Sequence, residues 1–114
     1  MEIRAATAEA IGPAPDASLM AEQAKAAAEL MKAVAHEGRL MILCHLVAGE
    51  RSVSELEELV GARQAAVSQQ LARLRLEGLV KSRRDGKAIY YSIGDEKVER
   101  LISALHTLFC EADD

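Results

Sequence analysis

A chain of 114 residues, half of them hydrophobic, has room for one small domain and a modest core. No apolar run approaches the ~18 residues that a membrane span needs, and the first residues, with Glu2, Arg4 and Glu9, lack the basic-then-apolar order of a secretory signal, so the default expectation is a cytoplasmic protein with reduced thiols. The net charge of −4 argues against nucleic acid until its distribution is read: residues 63–87 hold seven basic and two acidic residues, a local +5 on a body of −9, the footprint of a directed anion-binding face.

Residues 1–17, rich in Ala and carrying Gly12, Pro13 and Pro15, read as a flexible arm, and 18–114 as one domain. Ser18 is a good N-cap for a first helix over 18–34. Its stripe of Leu19, Met20, Ala27, Leu30, Met31 and Val34 exceeds what one small domain can cover, so part of it is expected to face a partner chain. A second helix spans 37–48 and stops at Gly49. Leu40, Leu43, Cys44 and Val47 share one of its faces, Ile42 and Leu46 another, as in a helix central to the fold. His36, at its start, reads as structural. The run from Ser52 to Leu59 opens a short third helix, with Ser54 as cap, Glu57 closing a capping box and Gly61 as the stop. A tight turn leads to a fourth helix over 64–77, with Val67, Leu71 and Leu74 inside and Gly78 closing it. Two strands, 79–84 and 87–93, flank Asp85-Gly86, a strong hairpin signal. Val80, Ile89 and Tyr91 fall on the packed side, and Lys81, Arg83 and Tyr90 on an exposed basic side. A last helix starts near Asp95, with Val98, Leu101, Ile102, Leu105, Leu108 and Phe109 as its stripe.

This order predicts a mainly α fold with a small β-hairpin wing, a winged helix-turn-helix of five or so helices. The fourth helix would enter the major groove of double-stranded DNA. Arg63, Gln64, Ser68 and Gln69 lie near its N-terminal outer face, where Gln can read adenine edges and Arg guanine. Arg73 and the hairpin bases Lys81, Arg83, Arg84 and Lys87 suit phosphate contacts, which position rather than specify. Taken singly, each could be a solvated side chain. Their segregation beside a tight turn and a hairpin is what favours DNA. No phosphate loop, paired catalytic carboxylates or Ser-His-Asp order points to an enzyme.

The helix-to-wing stretch Ala65-Ala66-Val67-Ser68-Gln69-Gln70-Leu71-Ala72-Arg73-Leu74, then Glu77-Gly78-Leu79-Val80, Arg83-Arg84-Asp85-Gly86-Lys87 and Tyr90-Tyr91, resembles the ArsR family. So does the upstream run from Leu30 to Leu40. The resemblance covers about residues 25–110. It implies a homodimeric transcriptional repressor with its first and last helices at the dimer interface. Such a dimer addresses half-sites about one DNA turn, ~34 Å, apart.

Many members of this family sense metals. Where one common site has a Cys-x-Cys pair, this chain has Ser52-Val53-Ser54, and hydroxyls are poor ligands for soft metals. Asp95, His106 and Glu111 do not match the spacing of the other common site. Cys44, His45, His106 and Cys110 could supply a four-ligand zinc site, against which stands the divergence of adjacent Cys44 and His45 on a helix. A metal-responsive repressor and a general oxidant-sensing dithiol repressor are therefore the rival readings, and no resident cofactor is expected. Cys44 and Cys110, one on the second helix and one at the end of the last, resemble the persulfide-sensing branch of the family, the SqrR and BigR type. That resemblance implies a reduced form that binds operator DNA. A low-molecular-weight persulfide would then join the two cysteines by a di- or polysulfide bridge and lower operator affinity.

Overall fold

The computed structural model of the chain describes residues 16–61 and 64–110, with the side chains of Gln64 and Ala65 left outside that description. The arm expected before residue 16, Arg63 and Glu111 therefore lie outside the described residues. The chain divides into two compact units, one ending at Lys32 and one starting at Ala33.

The first unit contributes helix α1, Ala17–Val34, which runs two residues into the second. Its cap is Asp16 rather than the expected Ser18. The Asp16 carboxylate accepts from the Ser18 amide at 3.3 Å and from the Ser18 hydroxyl at 3.1 Å, and its carbonyl accepts from the Met20 amide at 2.8 Å. Asp16 stands directly before the helix, where a side-chain oxygen can reach the open amides of the first turn, whereas Ser18 already lies within that turn. Leu19, Met20 and Met31 are exposed along this helix.

The second unit holds α2 (Glu37–Val47), β1 (Arg51–Ser52), α3 (Val53–Val60), α4 (Gln64–Leu76), β2 (Val80–Asp85), β3 (Ala88–Ile93) and α5 (Glu96–Phe109). Its core draws on every helix: Ile42, Leu43 and Leu46 from α2, Leu56 from α3, Val67, Leu71 and Leu74 from α4, Val98 and Ile102 from α5, with Leu79 and Val80 beneath the sheet. α2 packs chiefly on α5 and also touches α3, α4 and β3, as its broad apolar circumference requires. Its buried positions are Ile42, Leu43 and Leu46, while Leu40, Cys44 and Val47 are half-buried. His36 caps this helix: its Nδ1 accepts from the Gly38 amide at 3.1 Å.

Two details differ from the sequence reading at α3. The cap is Ser52, not Ser54, and the capping box pairs Ser52 with Glu55. The Glu55 amide donates to the Ser52 hydroxyl at 3.1 Å, and the Ser52 amide donates to the Glu55 carboxylate at 2.8 Å. The reason is β1. Arg51 and Ser52 pair with Tyr91 and Tyr90, so Ser52 is the last extended residue and the helix must begin directly after it. We expect Ser52→Ala to lower unfolding stability by about 1 kcal/mol, read from the shift in urea midpoint. An unchanged midpoint would remove the cap from the account of α3. Gly61 ends the helix in the left-handed region at φ 73°, open only cheaply to glycine, and turns the chain towards α4.

The sheet is antiparallel with strand order β1-β3-β2. The hairpin closes on Gly86-Lys87, one residue later than the Asp85-Gly86 expected, because Asp85 still pairs with Ala88. Gly86 takes φ 64° and Lys87 does not go positive, so one glycine at the first central position suffices and Asp85 stays extended. Moving the turn by one residue changes each pairing partner by two, which keeps every side chain on its expected face. Val80, Ile89 and Tyr91 share the packed face, and Lys81, Arg83 and Tyr90 the other. On α5, Val98 and Ile102 are buried, whereas Leu108 and Phe109 at the end of the expected stripe are exposed.

Candidate nucleic-acid interface and thiol site

α3, the turn at Gly61 and α4 form the helix-turn-helix, and β2-β3 forms the wing. Gln64 is the first residue of α4. Gln69, five residues further along, is exposed. Ser68 is half-buried and faces a depression of about 320 Å³, shared with Ser52 and Ser54 at the start of α3 and with Lys87 and Tyr90 of the wing. Ser68 is thus turned towards the groove between helix and wing, not outwards beside Gln69. Gln70, the next residue, is tied inwards. Its side-chain oxygen accepts from Arg39 Nε at 3.0 Å, and Arg39 also donates to the Ala33 carbonyl at 2.7 Å. The sequence reading assigned Arg39 and Gln70 no role; together they fasten α4 to α2.

Lys81, Arg84 and Lys87 are exposed. Arg84 sits opposite Ile89, on the strand face away from Arg83 but close to the hairpin tip. Arg73 is exposed and pairs with Glu77 at 3.1 Å across one helical turn, an arrangement worth little in water. Arg83 is held more firmly. Its Nε and Nη2 donate to the two carboxylate oxygens of Glu50, each at 2.8 Å, and its guanidinium lies 4.8 Å from the Tyr90 ring centroid. These hydrogen bonds hold the Glu50 carboxyl below the ordinary carboxylate range and raise the Arg83 guanidinium. Glu50 drew no attention in the sequence, because nothing local marks a partner 33 residues away.

The two cysteines converge. Cys44, half-buried on α2, and Cys110, exposed at the C-cap of α5, line one cavity of about 530 Å³ with Leu40, Met41, His36 and His45. Burial pushes the Cys44 thiol up from its ordinary value, and the charge of nearby Cys110 pushes it further the same way. Cys44 is therefore a thiol rather than a thiolate at neutral pH. His45 lines this cavity as well, although adjacency on a helix was expected to turn it away. Even so, no three His, Cys, Asp or Glu side chains among the described residues gather closely enough to hold a metal ion. Ser52, at one of the positions where the metal-sensing pair would stand, uses its hydroxyl to cap α3.

A helix-turn-helix followed by a basic antiparallel hairpin, with a flanking C-terminal helix, defines a winged helix-turn-helix protein. The sequence profile described as "Bacterial regulatory protein, arsR family" matches residues 36–82. The biofilm growth-associated repressor of Xylella fastidiosa is 45% identical over 91 residues, covering 80% of each chain. The crystal structure of the transcriptional repressor BigR from Xylella fastidiosa superposes with TM-score 0.77 at 43% identity, covering 84% of this chain and 98% of that one. Reduced HlyU from Vibrio cholerae N16961 gives TM-score 0.76 at 41% identity, covering 80% of this chain and 96% of that one. The chain belongs to the ArsR family of bacterial regulatory proteins, and is a regulator rather than an enzyme. Among the described residues no helix is long and apolar enough to cross a membrane.

Proposed function

We propose that this protein is a homodimeric transcriptional repressor that releases operator DNA when a persulfide links Cys110 to Cys44. The observation that carries the sensing half is the opening of both thiols onto one cavity, with Cys110 exposed and Cys44 half-buried. The repressor half rests on the family, on relatives described as repressors, and on the basic wing beside α4.

The chemistry needs no outside oxidant beyond the persulfide. The exposed Cys110 thiolate attacks the outer sulfur of R–S–SH, the S–S bond breaks, and R–SH leaves with a proton. Cys44, once deprotonated, attacks the inner sulfur of Cys110–S–SH and expels hydrogen sulfide, which leaves a disulfide. If Cys44 has itself taken up a sulfur atom, the same attack leaves a trisulfide. A direct disulfide needs Cα atoms within ~7 Å, and each inserted sulfur relaxes that limit. Cys110 reacts first because it is the exposed thiol, whereas burial holds Cys44 back.

Intact mass measurement after separate incubation with glutathione persulfide, hydrogen peroxide and Zn(II) tests the sensing reading. Loss of two hydrogens, with or without one added sulfur and with no free thiol left, is expected from persulfide. Retained zinc with both thiols protected from alkylation would reject it in favour of a metal sensor.

In the proposed complex, Arg63, Gln64 and Gln69 face base edges, and Ser68, Arg73, Lys81, Arg83, Arg84 and Lys87 meet phosphates. On a duplex selected from random sequences by the reduced protein, Lys87→Ala should weaken binding to every sequence alike. It should also flatten the dependence of log K on log salt by about one. Gln69→Ala should instead cost about 1–3 kcal/mol on the selected duplex only. Equal losses for Gln69→Ala on selected and random DNA would count against a base contact.

A further inference from the structure

We infer that Glu50 is an internal stand-in for a DNA phosphate, occupying Arg83 in the free protein so that DNA must displace a carboxylate before the wing can use that arginine. The inference rests on the DNA-binding reading above. A guanidinium offers its best two-point edge through Nε and one Nη, the edge that carboxylates and phosphates both prefer. Glu50 fills that edge of Arg83 with two hydrogen bonds of 2.8 Å. The remaining sides are partly taken: Asp85 Oδ2 stands 3.9 Å from Nη1, and the Tyr90 ring underlies one face at 4.8 Å. A phosphate oxygen and the Glu50 carboxylate cannot share the same pair of N–H groups.

The pair is also exposed enough to open. The Arg83 and Glu50 side chains keep 54% and 35% of their surface in water, and such ion pairs contribute little to folding. What Glu50 costs is DNA affinity, twice over. It competes for Arg83, and once displaced it stands as a negative charge beside the phosphates. Neither effect depends on base sequence. Glu50 therefore sets the general affinity of the protein for DNA, and holds it low, without touching a base.

The alternative is that Glu50 aims Arg83 at DNA, and the two have opposite signs. Anisotropy titrations of a labelled random-sequence duplex, at several salt concentrations, compare wild type, Glu50→Gln, Arg83→Ala and the double variant, with matching thermal melts confirming the folded state. Glu50→Gln is expected to bind about two- to fivefold tighter at low salt. The gain should fade as salt rises, with a log–log slope steeper by about one. In the Arg83→Ala background the extra slope should vanish. If Arg83→Ala weakens binding while Glu50→Gln binds no tighter than wild type, Glu50 positions Arg83 and the inference is overturned. A gain that persists undiminished without Arg83 would also overturn it, since Glu50 would then act by charge alone. If neither Arg83→Ala nor Lys87→Ala changes affinity, the wing is not a DNA contact, and the DNA-binding reading fails before the inference is reached.

Discussion

Cys110→Ser protein is expected to stay on its operator at a persulfide concentration that strips the wild-type protein off. The substitution removes the exposed sulfur at the C-cap of α5, the thiol placed to meet a donor in solution. It leaves the cap itself intact, because the bond made there is from the backbone amide of residue 110 to the His106 carbonyl. DNA affinity of the untreated variant should therefore match wild type. Couplings between two sites of a protein commonly amount to ~1–3 kcal/mol, so the treated wild type should lose affinity by about 5–150-fold while the variant loses none. Cys44→Ser should give the same phenotype by a different route: Cys110 still takes up sulfur, but nothing closes the bridge. The two variants are then told apart by the rate of sulfur uptake read by mass, faster on the protein that keeps the exposed Cys110. Release of DNA from either treated variant would exclude the two-thiol bridge. Alkylation offers a further handle, since the raised pKa of Cys44 means its reactivity should climb only at pH above the ordinary thiol range.

The largest expected loss of stability is at Leu71. This side chain is wholly buried, on the inner face of α4 between Val67 and Leu74, which are themselves 1% and 0% exposed. Leu71→Ala removes buried methyl groups and leaves a cavity that its neighbours fill only in part. The cost is expected at about 2–5 kcal/mol, against a total of ~5–15 kcal/mol for a domain of ordinary stability. Urea unfolding at one fixed protein concentration reads it, so that any self-association weighs equally on both proteins. DNA binding should fall along with the folded fraction as temperature rises. A loss below ~1 kcal/mol would mean that α4 is not seated through this face.

Most of the architecture was legible because the amphipathic stripes are long. Val67, Leu71 and Leu74, or Val98 and Ile102, recur at helical spacing, and no reading of them as strands survives. What the stripes could not give was their ends. Leu108 and Phe109 continue the α5 pattern yet are exposed in the single chain, since periodicity records which way a residue faces and not which element of the same chain meets it. The α3 cap was misplaced by two residues because the strand that forces it, Arg51–Ser52, is too short to alternate. The hairpin turn was misplaced by one, harmlessly, because its parity was kept. At the candidate site the convergence of Cys44 and Cys110 was suggested by family likeness, and no spacing could have supplied it. The opposite held for Arg83, whose charge was plain in the sequence while its occupation by Glu50 was not. Long-range ion pairs leave no periodic trace.

The bond from Arg39 to Gln70 gives α2 a second duty. Arg39 and Cys44 lie five residues apart on this helix, which puts them about 140° apart around its axis and ~7.5 Å apart along it. One flank of α2 thus bears on the thiol cavity and the far flank grips α4 next to Gln69. Between these two positions α2 is anchored in the packed core by Ile42 and Leu43. The helix that carries Cys44 is thus the helix fastened to α4, so a bridge closed at Cys44 would pull on the same rod that the Arg39–Gln70 bond ties to the helix-turn-helix.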